Sequence, residues 1–250
     1  MKSLFVALSM YSRIPVPRTV WTESSMKYAM CFFPVVGAII GAVIFAAGML
    51  LKPLRGSLIF SAVMTVIPVI ITGGIHLDGY LDTSDALSSY EGTEKKLEIL
   101  KDPNSGAFAV IAAAVYFTLS LGGWSIISSE DIIMISLFYC VSRALSGISI
   151  VSFPLAKKTG LAAMFSGAAH RSRVILALVM WLAASAAAAV IISPVMALLA
   201  SAAAAVSFAV YYAISIKNFG GITGDTAGWF LQICELAVLL TVGAGRMIIF

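Results

Sequence analysis

The chemistry-bearing residues of this chain concentrate in one run, Gly73-Gly74-Ile75-His76-Leu77-Asp78-Gly79-Tyr80-Leu81-Asp82-Thr83-Ser84-Asp85. Its aspartates stand at i, i+4 and i+7, which on a helix fall within about 60° of one another, so Asp78, Asp82 and Asp85 share one face. Like charges so arranged repel, by roughly a few tenths of a kcal/mol per exposed pair and by more when partly buried. Such a face calls for a cation. Oxygen-only ligands favour Mg2+, with Mn2+ as a substitute, and Mg2+ commonly takes one or two carboxylates while substrate phosphates complete its shell. Metal-assisted phosphoryl transfer is the chemistry to expect. The plainer reading is a solvated acidic face, of the kind that Glu91, Glu94 and Glu98 offer farther on. His76 leaves three roles open: orienting a carboxylate, acting as a general base, or capping the helix.

Two further polar islands accompany this run. Lys101-Asp102-Pro103-Asn104-Ser105-Gly106 reads as a turn feeding a helix N-terminus, where backbone N–H groups can receive an anion. Its ordinary alternative is a capped entry into a membrane helix. Gly220-Gly221-Ile222-Thr223-Gly224-Asp225-Thr226-Ala227-Gly228 is rich in glycine, which lets backbone approach a ligand closely; Thr223 there suits a phosphate and Asp225 a metal. No Gly-x-Ser-x-Gly elbow, HExxH, Walker loop or dinucleotide fingerprint occurs, which disfavours a serine triad or a zinc protease.

The elements that must position these islands are membrane helices. Of 250 residues, 60% are hydrophobic and 11% charged, whereas soluble domains run near ~45–50% and ~25%. Too little polar surface remains for a water-soluble globule, and a disordered chain or a small disulfide scaffold is excluded as well. Seven stretches approach the roughly 20 apolar residues that cross a bilayer: about 29–51, 57–75, 106–127, 131–153, 173–193, 195–216 and 229–249. The expected fold is therefore all-α, a polytopic bundle of about seven transmembrane helices forming one membrane-embedded domain over residues 1–250. The apolar run from Leu4 to Tyr11 is too short to span; with Pro15 and Pro17 after it, it reads as an interfacial helix that stays in the mature protein.

Arg143 falls inside the fourth stretch and Glu235 inside the seventh. An ionised residue there must face the bundle interior, which makes the two natural partners. With the N-terminus inside, twelve Lys and Arg lie in inner segments and three in outer ones, a positive-inside bias that places the N-terminus and all three islands in the cytoplasm, under the cell (inner) membrane. That bias also accounts for the net charge of +4, since no basic helix or basic–aromatic alternation suggests nucleic acid. Cys31, Cys140 and Cys234 lie far apart in apolar sequence and read as packing residues.

Taken in order, the islands resemble the cobalamin synthase family, the adenosylcobinamide-GDP ribazoletransferases. The resemblance rests on Arg13-Ile14-Pro15-Val16-Pro17, Phe33-Pro34-Val35-Val36-Gly37 with Gly41, the aspartate run, Lys101-Asp102-Pro103 with Gly106, and Gly220-Gly221-x-Thr223-Gly224-Asp225 followed by Glu235. It spans nearly the whole chain, and departs from the family where Ala86-Leu87 follow Asp85 and where Asn104-Ser105 replace a basic residue after Asp102.

The resemblance implies a Mg2+-dependent membrane enzyme that joins adenosylcobinamide-GDP to α-ribazole, or its 5′-phosphate, and releases GMP. It further implies Asp78, Asp82 and Asp225 as metal ligands, and Asp85, with His76 as alternative, as the group that deprotonates the attacking hydroxyl. Arg13, Lys101, Asp102, Gly220, Gly221, Thr223 and Gly224 would contact the phosphates. Membrane lipid is the other expected partner, with a homo-oligomer left open. Two other readings compete. A CDP-alcohol phosphotransferase would carry Ala-Arg after Asp-Gly-x-x, where this chain has Asp82. A transporter would use Arg143 and Glu235 near the membrane midplane.

Overall fold

The structure is a computed structural model and describes residues 1–249. Among the described residues twelve α-helices run in order: α1 (Lys2–Tyr11), α2 (Glu23–Met26), α3 (Phe33–Leu50), α4 (Leu58–Thr72), α5 (Ile75–Ser88), α6 (Thr93–Ile99), α7 (Ala107–Ile126), α8 (Ile132–Ser152), α9 (Leu161–Ala168), α10 (Arg171–Ile192), α11 (Pro194–Phe219) and α12 (Gly224–Ile249). Among the described residues there is no strand, only an isolated parallel bridge between Leu155 and Ile222. The fold is an all-α bundle. Six of its helices are long and apolar enough to cross a membrane, and α4 with α5 forms a seventh candidate that is bent by 97°.

The outward faces are as apolar as the interior. Ile111, Leu176, Met180, Leu198 and Val206 are all exposed on the long helices, an arrangement that water disfavours and hydrocarbon does not. Inside, α8 and α12 are the most enclosed spans. Close packing without large side chains is done by glycine. A Cβ on Gly37 or Gly41 of α3 would collide with the backbone carbonyl of Tyr139 or Ser136 on α8, so this Gly-x3-Gly face lets two helix backbones touch. Ala197, Ala200 and Ala204 serve the same end on α11, where all three are buried.

Two expected boundaries shift. The second stretch, 57–75, is not one straight span: α4 stops at Thr72 after 15 residues and the chain turns sharply into α5. Gly73 and Gly74 carry φ of +67° and +82°, left-handed values that end a helix and that glycine adopts without strain. The last span begins at Gly224 rather than near 229, because Thr223 caps it: the Thr226 N–H donates to Thr223 Oγ1 at 3.1 Å and the Thr223 N–H to Thr226 Oγ1 at 2.8 Å. The α10–α11 hairpin turns at Ser193-Pro194, with the Met196 N–H donating to the Ser193 hydroxyl at 3.4 Å. Helix α1 is a short element whose Val6, Ala7 and Leu8 are buried, followed by an irregular segment through Pro15 and Pro17.

Candidate active site

The site is built around the bend between α4 and α5. The N-terminal segment straps that bend: the Arg13 N–H donates to the Ile71 carbonyl at 2.7 Å, and the Arg13 side chain lies where a Cβ on residue 73 would be. Gly73 therefore serves twice, by its positive φ and by making room for Arg13. Beyond the bend, α5 crosses α12 backbone to backbone. A Cβ on Gly79 would stand 2.8 Å from the Asp225 carbonyl oxygen, and one on Gly228 3.0 Å from the His76 carbonyl oxygen. This crossing brings the aspartate run to the glycine-rich island: Asp82 lies in the electrostatic field of Asp78, Asp225 and Asp85.

The aspartates then divide. Asp85 turns toward α7: its Oδ1 accepts the Ala109 N–H at 3.3 Å, and its carboxylate sits against Gly106, where a Cβ would clash with it. The Lys101–Gly106 turn does present a helix N-terminus to an anion, and that anion is the chain's own Asp85. Asp102 is exposed and closes a local turn, accepting the Asn104 N–H and side-chain amide, both at 2.9 Å, which holds its carboxyl below the usual range. Asp78, Asp82 and Asp225 make no ion pair among the described residues.

Two cavities meet at Asp225, and Gly224 lines both. One, of about 390 Å3, is basic: Lys101 and Lys157 line it with Thr223 and Asp225. Lys157 was not singled out from the sequence. It arrives here because Leu155–Ala156 runs beside the glycine island, the Ala156 N–H donating to the Ile222 carbonyl at 2.9 Å and the Ile222 N–H to the Pro154 carbonyl at 2.8 Å. Gly221 permits that contact, since a Cβ there would meet Leu155 and Ala156 backbone. The run Lys157-Lys158-Thr159-Gly160 between two apolar stretches was the available signal. Burial and the neighbouring Lys101 lower the Lys157 pKa, against an opposite pull from Asp225. The second cavity, of about 290 Å3, is walled by Tyr11, Phe33, His76 and Leu231 and reaches Asp78 and Asp225. Gly220 ends α11 with φ of +71° and lines neither cavity.

Arg143 and Glu235 lie apart from this end. The structure pairs them as a salt bridge in the bundle interior, and the Ser142 hydroxyl donates to the same Glu235 Oε1 at 3.0 Å. The guanidinium also lies over the Tyr139 ring, 5.4 Å from its centroid. At the far end of the bundle, Arg246 donates to both carboxylate oxygens of Asp131, at 3.0 and 2.7 Å, joining α12 to the start of α8.

The donor set suits a hard divalent ion in one particular way. Among the described residues no three His, Cys, Asp or Glu side chains stand close enough to hold an ion by themselves. What the aspartates offer is the Asp225 carboxylate in the wall of a basic cavity, with Asp82 in electrostatic reach, one or two carboxylates being the share Mg2+ takes from a protein when substrate phosphates supply the rest.

A family described as cobalamin-5-phosphate synthase matches residues 3–243. Proteins named adenosylcobinamide-GDP ribazoletransferase are similar over almost the full length. One from Lachnoclostridium phytofermentans is 47% identical, covering 97% of this chain and 93% of its own. Relatives from Clostridium botulinum, at 34% over 96% of each chain, and Clostridium perfringens, at 31% over 97% of each, carry the same name. No solved structure matches. With residues 3–243 inside the match, the chain belongs to the cobalamin-5-phosphate synthase family.

Proposed function

We propose that this protein joins adenosylcobinamide-GDP to α-ribazole, or α-ribazole 5′-phosphate, and releases GMP, at a site on the cytoplasmic face of the cell membrane. The observation that carries the reading is Asp225, which lines a cavity together with Lys101 and Lys157 and lies within electrostatic reach of Asp82, itself beside Asp78. A diphosphate fits that combination. The lysines attract its charge directly, and the carboxylates accept it only through a shared cation.

Asp82 and Asp225 would hold Mg2+, which when bound neutralises phosphate charge and polarises the reacting phosphorus. Lys101 and Lys157 hold the diphosphate and stabilise the charge that develops on the departing GMP. A ribose hydroxyl oxygen that is free in both acceptor forms, and so not the 5′-oxygen, forms a bond to the phosphorus that carries cobinamide, the bond from that phosphorus to the GMP oxygen breaks, and the hydroxyl proton passes to a carboxylate. Asp78 is the aspartate of α5 that lines the apolar-walled cavity, so we assign the proton to it and give Asp85, occupied by the start of α7, a positioning role. Arg13 likewise positions, by strapping the α4–α5 bend. The Lys and Arg asymmetry supports the cytoplasmic placement.

The test is reconstitution. Purified protein in liposomes, supplied with adenosylcobinamide-GDP and α-ribazole, is expected to release GMP and corrinoid product with Mg2+ and to stop when EDTA is added. Folded protein that yields no GMP with either ribazole form overturns the reading.

A further inference from the structure

The cavity of about 290 Å3 has features that the diphosphate chemistry does not use. Its walls are apolar and aromatic. Tyr11 and Phe33 have ring centroids 4.2 Å apart, and the His76 ring lies 6.0 Å from Tyr11 at 24° and 5.8 Å from Phe33. Burial raises the Tyr11 pKa, so that ring is a neutral phenol. His76 is 4% exposed, and neither of its ring nitrogens has a hydrogen-bond partner among the described residues. A buried polar group without a partner costs roughly 1–3 kcal/mol, so a histidine in the cavity wall with both ring nitrogens unpartnered points to a ligand that pairs with one of them.

Resting on the transferase reading above, we infer that this cavity seats the heteroaromatic base of the nucleoside acceptor, with His76 hydrogen-bonded to a ring nitrogen of that base. Ribazole is a ribosylated benzimidazole: flat, uncharged, and bearing one unsubstituted ring nitrogen that accepts a hydrogen bond from an imidazole N–H. The volume lies near the lower end of small-molecule sites, about 300–1,000 Å3, which suits a nucleoside and excludes a corrinoid ring. A diphosphate belongs to the adjoining cavity, because these walls carry no Lys or Arg whereas Lys101 and Lys157 line the other. A lipid chain would fill the volume but leave both His76 nitrogens unpaired. With the base seated, the ribose extends toward Asp78 and Asp225, and its attacking hydroxyl meets the diphosphate where the two cavities join. His76 is then a specificity-determining residue for the acceptor.

Calorimetric titration of the purified protein with α-ribazole, without Mg2+ or the GDP substrate, tests this directly. Binding is expected for the parent protein. His76→Phe keeps the ring and removes its nitrogens, and is expected to weaken binding about tenfold. Met10→Trp, at a half-buried wall position, fills the cavity and is expected to weaken it at least as much. Thermal unfolding confirms that each variant is folded. A parent that does not bind α-ribazole, or two folded variants that bind it as tightly as the parent, overturns the assignment. The GMP-release assay separates this from the transferase reading. Parental turnover with an unchanged ribazole KM in both variants refutes the cavity and leaves the reaction standing, whereas a parent that binds ribazole sensitively to His76→Phe yet never releases GMP refutes the reaction alone.

Discussion

Arg143 and Glu235 meet within the bundle as a paired cation and anion, with Ser142 and the Tyr139 ring around them, whereas Asp78, Asp82 and Asp225 gather at one end with no ion pair of their own. Both groups are costly in an apolar chain, but the balance differs. In the first, each charge has its opposite on a neighbouring helix, and removing either strands the other. The second is open on the side where Lys101 and Lys157 line a cavity. A charge cluster closed by the protein holds helices together; one left open is completed by what binds. The second is where we propose phosphoryl transfer, and the transport reading that rested on Arg143 and Glu235 loses its footing, because those two charges already answer each other.

The comparison breaks most sharply under paired substitutions. Asp82→Asn is expected to lower kcat by about 10²–10³-fold, the range seen when a transition-state electrostatic contact is lost, while the thermal midpoint stays level or rises because like-charge repulsion is relieved. Arg143→Met should do the reverse to stability. Leaving Glu235 buried and unpaired costs about 3–5 kcal/mol, read as a fall in thermal midpoint in detergent, and Arg143→Met with Glu235→Leu restores most of it. A catalytic loss in a stable Arg143→Met protein contradicts the division between the two regions.

Gly79→Val sharpens the claim that the site exists only because α5 and α12 touch. A side chain there meets Asp225 backbone, so the crossing must open, at a cost of about 1–3 kcal/mol and with loss of turnover beyond what the stability change explains. A smaller effect is expected at Lys157. Lys157→Ala should raise KM for adenosylcobinamide-GDP about tenfold, the scale of one charge-assisted hydrogen bond. Because burial and Lys101 lower its pKa, Lys157 loses its charge at lower pH than an ordinary lysine. KM for the anionic substrate should therefore climb as pH rises toward the lysine range, and Lys157→Arg, still charged there, should flatten the climb.

Much of this was legible in the residues. The spans follow from apolar length, the shared face of Asp78, Asp82 and Asp85 from helical spacing, and the Arg143–Glu235 pair from the expense of lone charges in hydrocarbon. Less legible was which polar groups the chain uses for itself. Asp85 reads like its neighbours in sequence, yet it caps α7 from 24 residues away, a contact set by the turn of the chain through α6. The 97° bend hid behind an apolar run that continues to Ile75, and only the paired Gly73-Gly74 marked it. Lys157 was hidden because its place beside Asp225 depends on the Leu155–Ile222 bridge, a long-range pairing without local pattern.

On the proposed reading, the open aspartates complete their charge with a divalent ion shared with the diphosphate. The direct measurement is the Mg2+ dependence of GMP release in liposomes, at saturating adenosylcobinamide-GDP and α-ribazole, for the parent, Asp82→Asn, Asp225→Asn and Glu235→Gln. Half-saturation by Mg2+ is expected to move up at least about tenfold, or turnover to vanish, in the two aspartate variants, and to stay at the parental value in whatever Glu235→Gln protein folds. Parental half-saturation in both aspartate variants, or a shift confined to Glu235→Gln, would contradict that reading.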